Sequence, residues 1–182
     1  TQSLNLDAQF NLQISFFEAL NGAKKNLLVN DERIVVTIPK GIENGSKIRI
    51  KNKGNIQTGK GKRGDLLIEI SIKSHPIWKV KGLDIYADLP VSLDELALGA
   101  NILVASPQGD TYLSIPSGSL SGQIFRLKGQ GLKNLVKQGD LFFKLKLKLP
   151  ESWSDDELRL IEMLRSVRMD EPRSSWFVQA RT

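Results

Sequence analysis

Two stretches of the chain, "IPKGIENGSKIRIKNKG" at 38–54 and "IPSGSLSGQIFRLKGQG" at 115–131, share seven of their 17 residues at matched positions. Ile38-Pro39 matches Ile115-Pro116. Gly41 and Gly45 match Gly118 and Gly122, and Arg49, Lys51 and Gly54 match Arg126, Lys128 and Gly131, all at a shift of 77. At the same shift Leu12, Ser15, Glu18, Gly22 and Ala23 meet Leu89, Ser92, Glu95, Gly99 and Ala100. Gly64-Asp65-Leu66 meets Gly139-Asp140-Leu141 at a shift of 75, so the first copy carries a loop two residues longer. A constant offset marks a duplicated unit, and whatever fold one copy takes the other must take as well.

Each copy reads as short strands joined by tight turns. Phe10, Leu12, Ile14 and Phe16 alternate with polar residues, the period of a half-buried strand. "FFEALNG" breaks that alternation and stops at glycine, which predicts one short helix. "NLLV", a turn at "NDE" and "RIVVTIP" predict a hairpin, with four residues between Val29 and Ile34. Gly41 and Gly45 bracket a turn before "KIRI", and Leu66, Ile68, Ile70 and Ile72 form the next alternating face. In the second copy Leu141, Phe143, Leu145, Leu147 and Leu149 alternate with Lys144, Lys146 and Lys148, the pattern of an antiparallel strand with one wet, basic face. The expected fold is mainly β: two tandem duplicated β-sandwich domains, 1–82 and 83–150, each with a short helix.

The segment 151–182 has a different period. Ser154 can cap a helix whose first turn holds Asp155, Asp156 and Glu157. Leu158, Ile161 and Leu164 follow at helical spacing, with Met163 and Val167 broadening the stripe. A lone amphipathic helix must bury its stripe on its own module or on another copy of the chain. The tail "EPRSSWFVQART" begins with a helix breaker and is expected to be irregular, although Trp176 and Phe177 are unusual residues to leave in water.

Little in the chain supports catalysis. Cysteine is absent, which removes disulfides, zinc-thiolate sites and thiol nucleophiles. His75 is the only histidine, and without further imidazole or thiolate ligands it makes neither a triad nor a metal site. "GNIQTGKGKRGD" (54–65) imitates a phosphate-binding loop, but Gly61 stands where Ser or Thr should hold Mg²⁺, and a strand rather than a helix is predicted next. Arg63-Gly64-Asp65 spells an adhesion tripeptide, yet the matching Gly139-Asp140 makes it a turn pair. No enzyme activity and no cofactor are expected.

No apolar run reaches the ~18 residues of a spanning helix, and the start lacks the order of a signal peptide. A net charge of +6 can attract nucleic acid or an acidic peptide tail, or serve solubility alone.

"DLLIEISIKSHPIWKVKGLDIYADLPVSLDELALGANILV", followed by "IPSGSLSGQIFRLKGQG" and "GDLFFKLKL", resembles the C-terminal substrate-binding region of DnaJ-type (J-domain) co-chaperones. The resemblance runs from about Phe10 to Val167. It implies two tandem peptide-binding β-sandwiches, a C-terminal dimerisation helix, unfolded client polypeptides, a DnaK-type partner chaperone and a cytoplasmic setting. It implies the zinc-free branch, since the cysteine-rich insertion is missing between Val29 and Ile34. His75-Pro76 is followed by Ile77 rather than aspartate, in a β context, so no ATPase stimulation is expected from these residues. The chain does not begin with Met and is expected to be a piece whose J-domain and linker lie upstream.

By the same resemblance the client groove comprises Phe10, Leu12, Leu27, Val29 and Ile68 with Lys25 at its rim, and Leu158, Ile161 and Leu164 form the dimer seam. Lys25, Lys47 and Lys51 are candidates for receiving an acidic tail of the partner chaperone. Alternation by itself fits either a groove or a plain sandwich core for these apolar positions. Some relatives in the zinc-free branch associate with DNA, which makes nucleic acid the alternative partner. Against it stand 7% aromatics and no interleaving of basic and aromatic residues along the sequence.

Overall fold

The computed structural model describes residues 6–56 and 63–180. The chain divides into two compact units, Thr1–Lys148 and Leu149–Thr182. The first copy of the repeat contributes β1 (Ala8–Ile14), α1 (Phe16–Asn21), β2 (Ala23–Val29), β3 (Glu32–Ile38), β4 (Lys47–Ile50) and β5 (Leu66–Ile72). The second contributes β6 (Lys79–Lys81), β7 (Asp84–Val91), α2 (Leu93–Leu98), β8 (Ala100–Val104), β9 (Thr111–Ile115), β10 (Ile124–Leu127) and β11 (Leu141–Leu147).

In each copy a sheet packs on a two-stranded ribbon. The sheets run β1-β5-β4 and β10-β11-β7-β6; the ribbons are β2-β3 and β8-β9. Ile14, Val36, Ile38, Leu66 and Ile70 centre the first core, and Ile85, Leu113, Ile115, Leu141 and Leu145 the second. The alternating residues therefore face inward, except Leu149, which lies past the end of β11 and is exposed.

The expected antiparallel strand is a correction. β11 lies antiparallel to β10 but parallel to β7, and β5 likewise lies antiparallel to β4 and parallel to β1. The chain leaves the first strand through helix and ribbon and returns through β4 or β10. The last strand, antiparallel to that one, must re-enter in the direction of the first. The intervening segment is long enough for the crossover a parallel pair demands.

The repeated Ser and Glu are capping boxes. The Ser15 hydroxyl accepts from Glu18 N–H (3.2 Å), and the Glu18 carboxylate accepts from Ser15 N–H (2.8 Å). Ser92 and Glu95 repeat this at 3.4 and 2.9 Å, satisfying backbone donors that a helix start leaves open. The β2–β3 turn is tighter than expected. Only Asn30 and Asp31 separate the strands, at φ 50° and 61°, the paired positive φ of a type I′ hairpin.

The repeated Gly-Asp is also structural. Asp65 accepts from Asn52 N–H (2.8 Å) and Arg49 Nε (2.5 Å), which hold its carboxyl below the usual range. Asp140 accepts from Gly129 N–H (2.7 Å) and sits 3.5 Å from Arg126. A side chain at Gly64 or Gly139 would strike the Leu6 or Leu83 carbonyl. The Asp of the adhesion-like tripeptide is thus buried and engaged. The phosphate-loop imitation, Gly59-Lys60-Gly61, lies outside the described residues; β5 follows it, as expected.

The two copies pack together within their unit. Phe16 and Leu20 of α1 join the second core, with the Phe16 ring stacked 6.3 Å from Trp78. In the other unit Ser154 caps α3 (Asp155–Val167), again with a capping box to Glu157, and α3 buries none of its residues. A short helix, α4 (Ser174–Gln179), stands where irregular chain was expected. It starts where the Ser174 N–H and hydroxyl both turn back on the Glu171 carbonyl.

Candidate functional site

β1 is an edge strand of its sheet, and β2 pairs only with β3. Both strands keep one row of backbone donors and acceptors outside any ladder among the described residues. Their inward side chains meet on one core. Leu12 and Val29 are 8% and 9% exposed, whereas Phe10 and Leu27 are only half-buried against the same cluster. Ile68, expected to contact a ligand, is 0% exposed. It pairs in register with Phe10 on one side and Ile48 on the other, so it is the floor beneath Phe10 rather than a contact. Phe10 and Leu27 are the two apolar residues of this set that can be reached.

Lys25 is anchored. Its ammonium is ion-paired to Glu18, whose other carboxylate oxygen holds the Ser15 N–H. The Lys25 hydrogen bond, then the Ser15 N–H, keep the Glu18 carboxyl below its ordinary range. One carboxylate thereby caps α1 and fastens the side of β2. Lys47 pairs in register with Glu69 and borders a depression of about 320 Å³ that also includes Phe10, Asn11 and Leu67. Lys51 is exposed in the turn after β4.

The second copy lacks this arrangement. At the constant shift Ala87 replaces Phe10, Val104 replaces Leu27, Ser106 replaces Val29 and Ile102 replaces Lys25. Ala87 and Val104 are each buried to 3%. The β8–β9 ribbon is also two residues shorter per strand than β2–β3. Among the described residues, the half-buried Phe10 and Leu27 and the Glu18–Lys25 pair have no counterpart at the matched positions of the second copy.

The sequence reading missed the junction between the copies. Phe16, Phe17, His75 and Trp78 form a continuous aromatic cluster, with ring centroids 5.1–6.4 Å apart. His75 Nδ1 accepts from Ile77 N–H (3.2 Å) and Trp78 N–H (3.1 Å), so the lone histidine shapes a turn. The signal was the aromatic opening of α1, where the second copy has Leu93. Among the described residues no group of His, Asp and Glu could hold a metal, and no helix is long and apolar enough to cross a membrane.

In α3 the expected seam residues Leu158, Ile161 and Leu164 are 47%, 37% and 54% exposed. The structure brings them onto one helix, where all three are exposed.

A family model for the DnaJ C terminal domain matches residues 8–150. The chain is 34% identical over 170 residues to a DnaJ-like protein of Synechocystis sp., covering 93% of this chain and 51% of the relative. It is 33% identical over 138 residues to the chaperone protein DnaJ of Treponema denticola, covering 75% and 36%. It is 37% identical over 142 residues to the curved DNA-binding protein of Escherichia coli, covering 78% and 46%. The chain thus spans between about a third and a half of these relatives' length.

Proposed function

The chain belongs to the DnaJ C-terminal domain family, and on that premise we propose that it is the client-binding part of a chaperone. Residues 1–82 form the peptide-binding domain, save that β6 (Lys79–Lys81) joins the sheet of the second β-domain, 83–150, and 151–182 form the dimerisation segment. The observation that carries the reading is the half-buried pair Phe10 and Leu27 over a closed floor of Leu12, Val29 and Ile68, between strands with free edges. An unfolded segment can add to such an edge through its backbone, whatever its sequence, while the exposed parts of Phe10 and Leu27 favour apolar side chains that folded proteins hide. Lys25, fixed by Glu18, marks the rim.

The magnitudes suit transient capture. Burying one large client side chain contributes about 1.5–3 kcal/mol, and one or two, less the cost of ordering the segment, leave weak binding. Two grooves on one dimer recover affinity through effective concentration. A 13-residue helix with no buried residue is marginal alone, so pairing through Leu158, Ile161 and Leu164 gives it its stability. Clients held this way are delivered to a DnaK-type chaperone in the cytoplasm, with Lys47 and Lys51 as the basic residues free to meet an acidic tail.

The test is suppression of aggregation of a reduced, unfolded model protein. Phe10→Ser with Leu27→Ser should weaken it strongly in a chain that keeps its far-ultraviolet spectrum. Unchanged suppression by that folded variant would refute the groove.

A second reading, nucleic-acid binding, has one observation in its favour: the 37% identity to a protein named for binding curved DNA, on a chain of net charge +6.

A further inference from the structure

The duplication holds the two sheets in one frame, yet their outward faces differ. In the first copy the register sets Gln9, Leu67 and Arg49 in one row, and Asn11, Glu69 and Lys47 in the next. In the second copy the matching rows are Lys79–Tyr86–Phe142–Arg126 and Asp88–Lys144–Ile124, with Pro90–Lys146 beyond. At matched positions Gln9 becomes Tyr86, Leu67 becomes Phe142, Glu69 becomes Lys144 and Ser71 becomes Lys146. All four exchanges add a ring or a cation; in the other sense Lys47 becomes Ile124 and Asn11 becomes Asp88.

Tyr86 and Phe142 stack with ring centroids 4.9 Å apart and planes 11° apart. Both are half-buried; exposed Lys79 and Arg126 flank them in their row, and exposed Lys144 and Lys146 stand in the next two rows. The carboxylates here are Asp84, which accepts from Asp140 N–H (2.9 Å), Asp88, and Asp140, 3.5 Å from Arg126. Lys144, Lys146 and Asp88 also line a shallow depression of about 280 Å³ with Ser121 and Gly122.

We propose that this outward face of the second copy binds single-stranded nucleic acid. The cations meet phosphates, and the outer faces of the Tyr86–Phe142 pair meet unpaired bases. Cations alone would suit any polyanion. The rings discriminate, because an unpaired base has a flat face to lay on them whereas a carboxylate has none. In a duplex the bases are already stacked and only the backbone would be met. The inference rests on the nucleic-acid reading above, to which it adds a surface and a strand form.

The test is fluorescence anisotropy of a labelled oligothymidylate titrated with the full chain at several salt concentrations. Four cations at a slope of about 0.7 per phosphate contact predict a log–log salt slope near −3. Lys144→Glu with Lys146→Glu should weaken binding at least about tenfold and flatten the slope by about 1.4. Tyr86→Ser with Phe142→Ser should weaken binding while leaving the slope unchanged. Lys47→Glu with Lys51→Glu, an equal change of charge on the first copy, should do far less. The proposal fails if the two charge variants weaken binding equally. It fails also if duplex DNA or polyglutamate competes as well as the single strand. Should the chain bind neither single strand nor duplex, the nucleic-acid reading falls with it. Duplex binding untouched by Lys144→Glu with Lys146→Glu would remove only the face and the strand form.

Discussion

Glu18 holds the ammonium of Lys25 with one carboxylate oxygen and the N–H of Ser15 with the other. In the second copy Glu95 makes the same cap to Ser92, but Ile102 stands where Lys25 would be. The cap came with the duplicated unit; the ion pair is particular to the copy that carries the accessible Phe10 and Leu27.

The pair has a pH signature. The Glu18 carboxyl is held below its ordinary 4.5, chiefly by Lys25 and then by the Ser15 N–H. A depressed folded pKa contributes stability that is fully present above the unfolded value and is lost as pH falls through the folded one. Glu18→Gln should therefore lower the melting temperature at pH 7, and the gap to wild type should close well below pH 4.5. Melting curves across this range check it; a gap that persists undiminished in acid would show that the charge does not matter.

Phe10 and Ile68 are register partners with opposite expectations. Ile68→Ala empties a fully buried site and should cost about 2–5 kcal/mol of stability. Phe10→Ala, at a half-buried site, should cost less and should impair client capture instead. Urea unfolding alongside the aggregation assay separates the two.

Gly41 and Gly118 occupy matched positions with the same left-handed backbone, φ 72° and 73°. A side chain at Gly118 meets open space, whereas one at Gly41 runs into the backbone of Lys133 and Asn134. Gly118→Ala should cost about 1–2 kcal/mol, from conformation alone. Gly41→Ala should cost more, because it also pushes the copies apart. Denaturation midpoints of the two variants decide this, and tryptophan emission should report the disturbed Phe16–Trp78 packing in Gly41→Ala.

Leu158→Asp with Leu164→Asp places two charges in the exposed stripe of α3. Sedimentation should move from dimer to monomer while the β-sheet spectrum stays constant. A variant that sediments like wild type would remove the dimer seam.

Much of the architecture was legible because it depends on local rules. Alternation identified the inward faces of β1, β5 and β11. The glycine stop marked α1 and Ser154 the start of α3, and the offsets of 77 and 75 linked one copy to the other. Three features were not legible in this way. The parallel pairing of β5 with β1 depends on the route of the intervening chain. The docking of Phe16 beside Trp78 joins residues of two copies. Tyr86 and Phe142 become neighbours only through sheet register, so a scan for basic and aromatic residues interleaved along the sequence passes over them.

A duplicated β-module followed by an amphipathic helix can be read from the residues alone, since period, capping and turn chemistry act within a few residues. Depth and neighbourhood come only from the way the strands assemble. Alternation places Phe10, Leu12, Leu27, Val29 and Ile68 on inward faces without distinguishing floor from rim. How far each side chain lies from solvent is set by what the other strands bring over it. That is why Ile68 closes the core while Phe10 and Leu27 remain within reach of a partner.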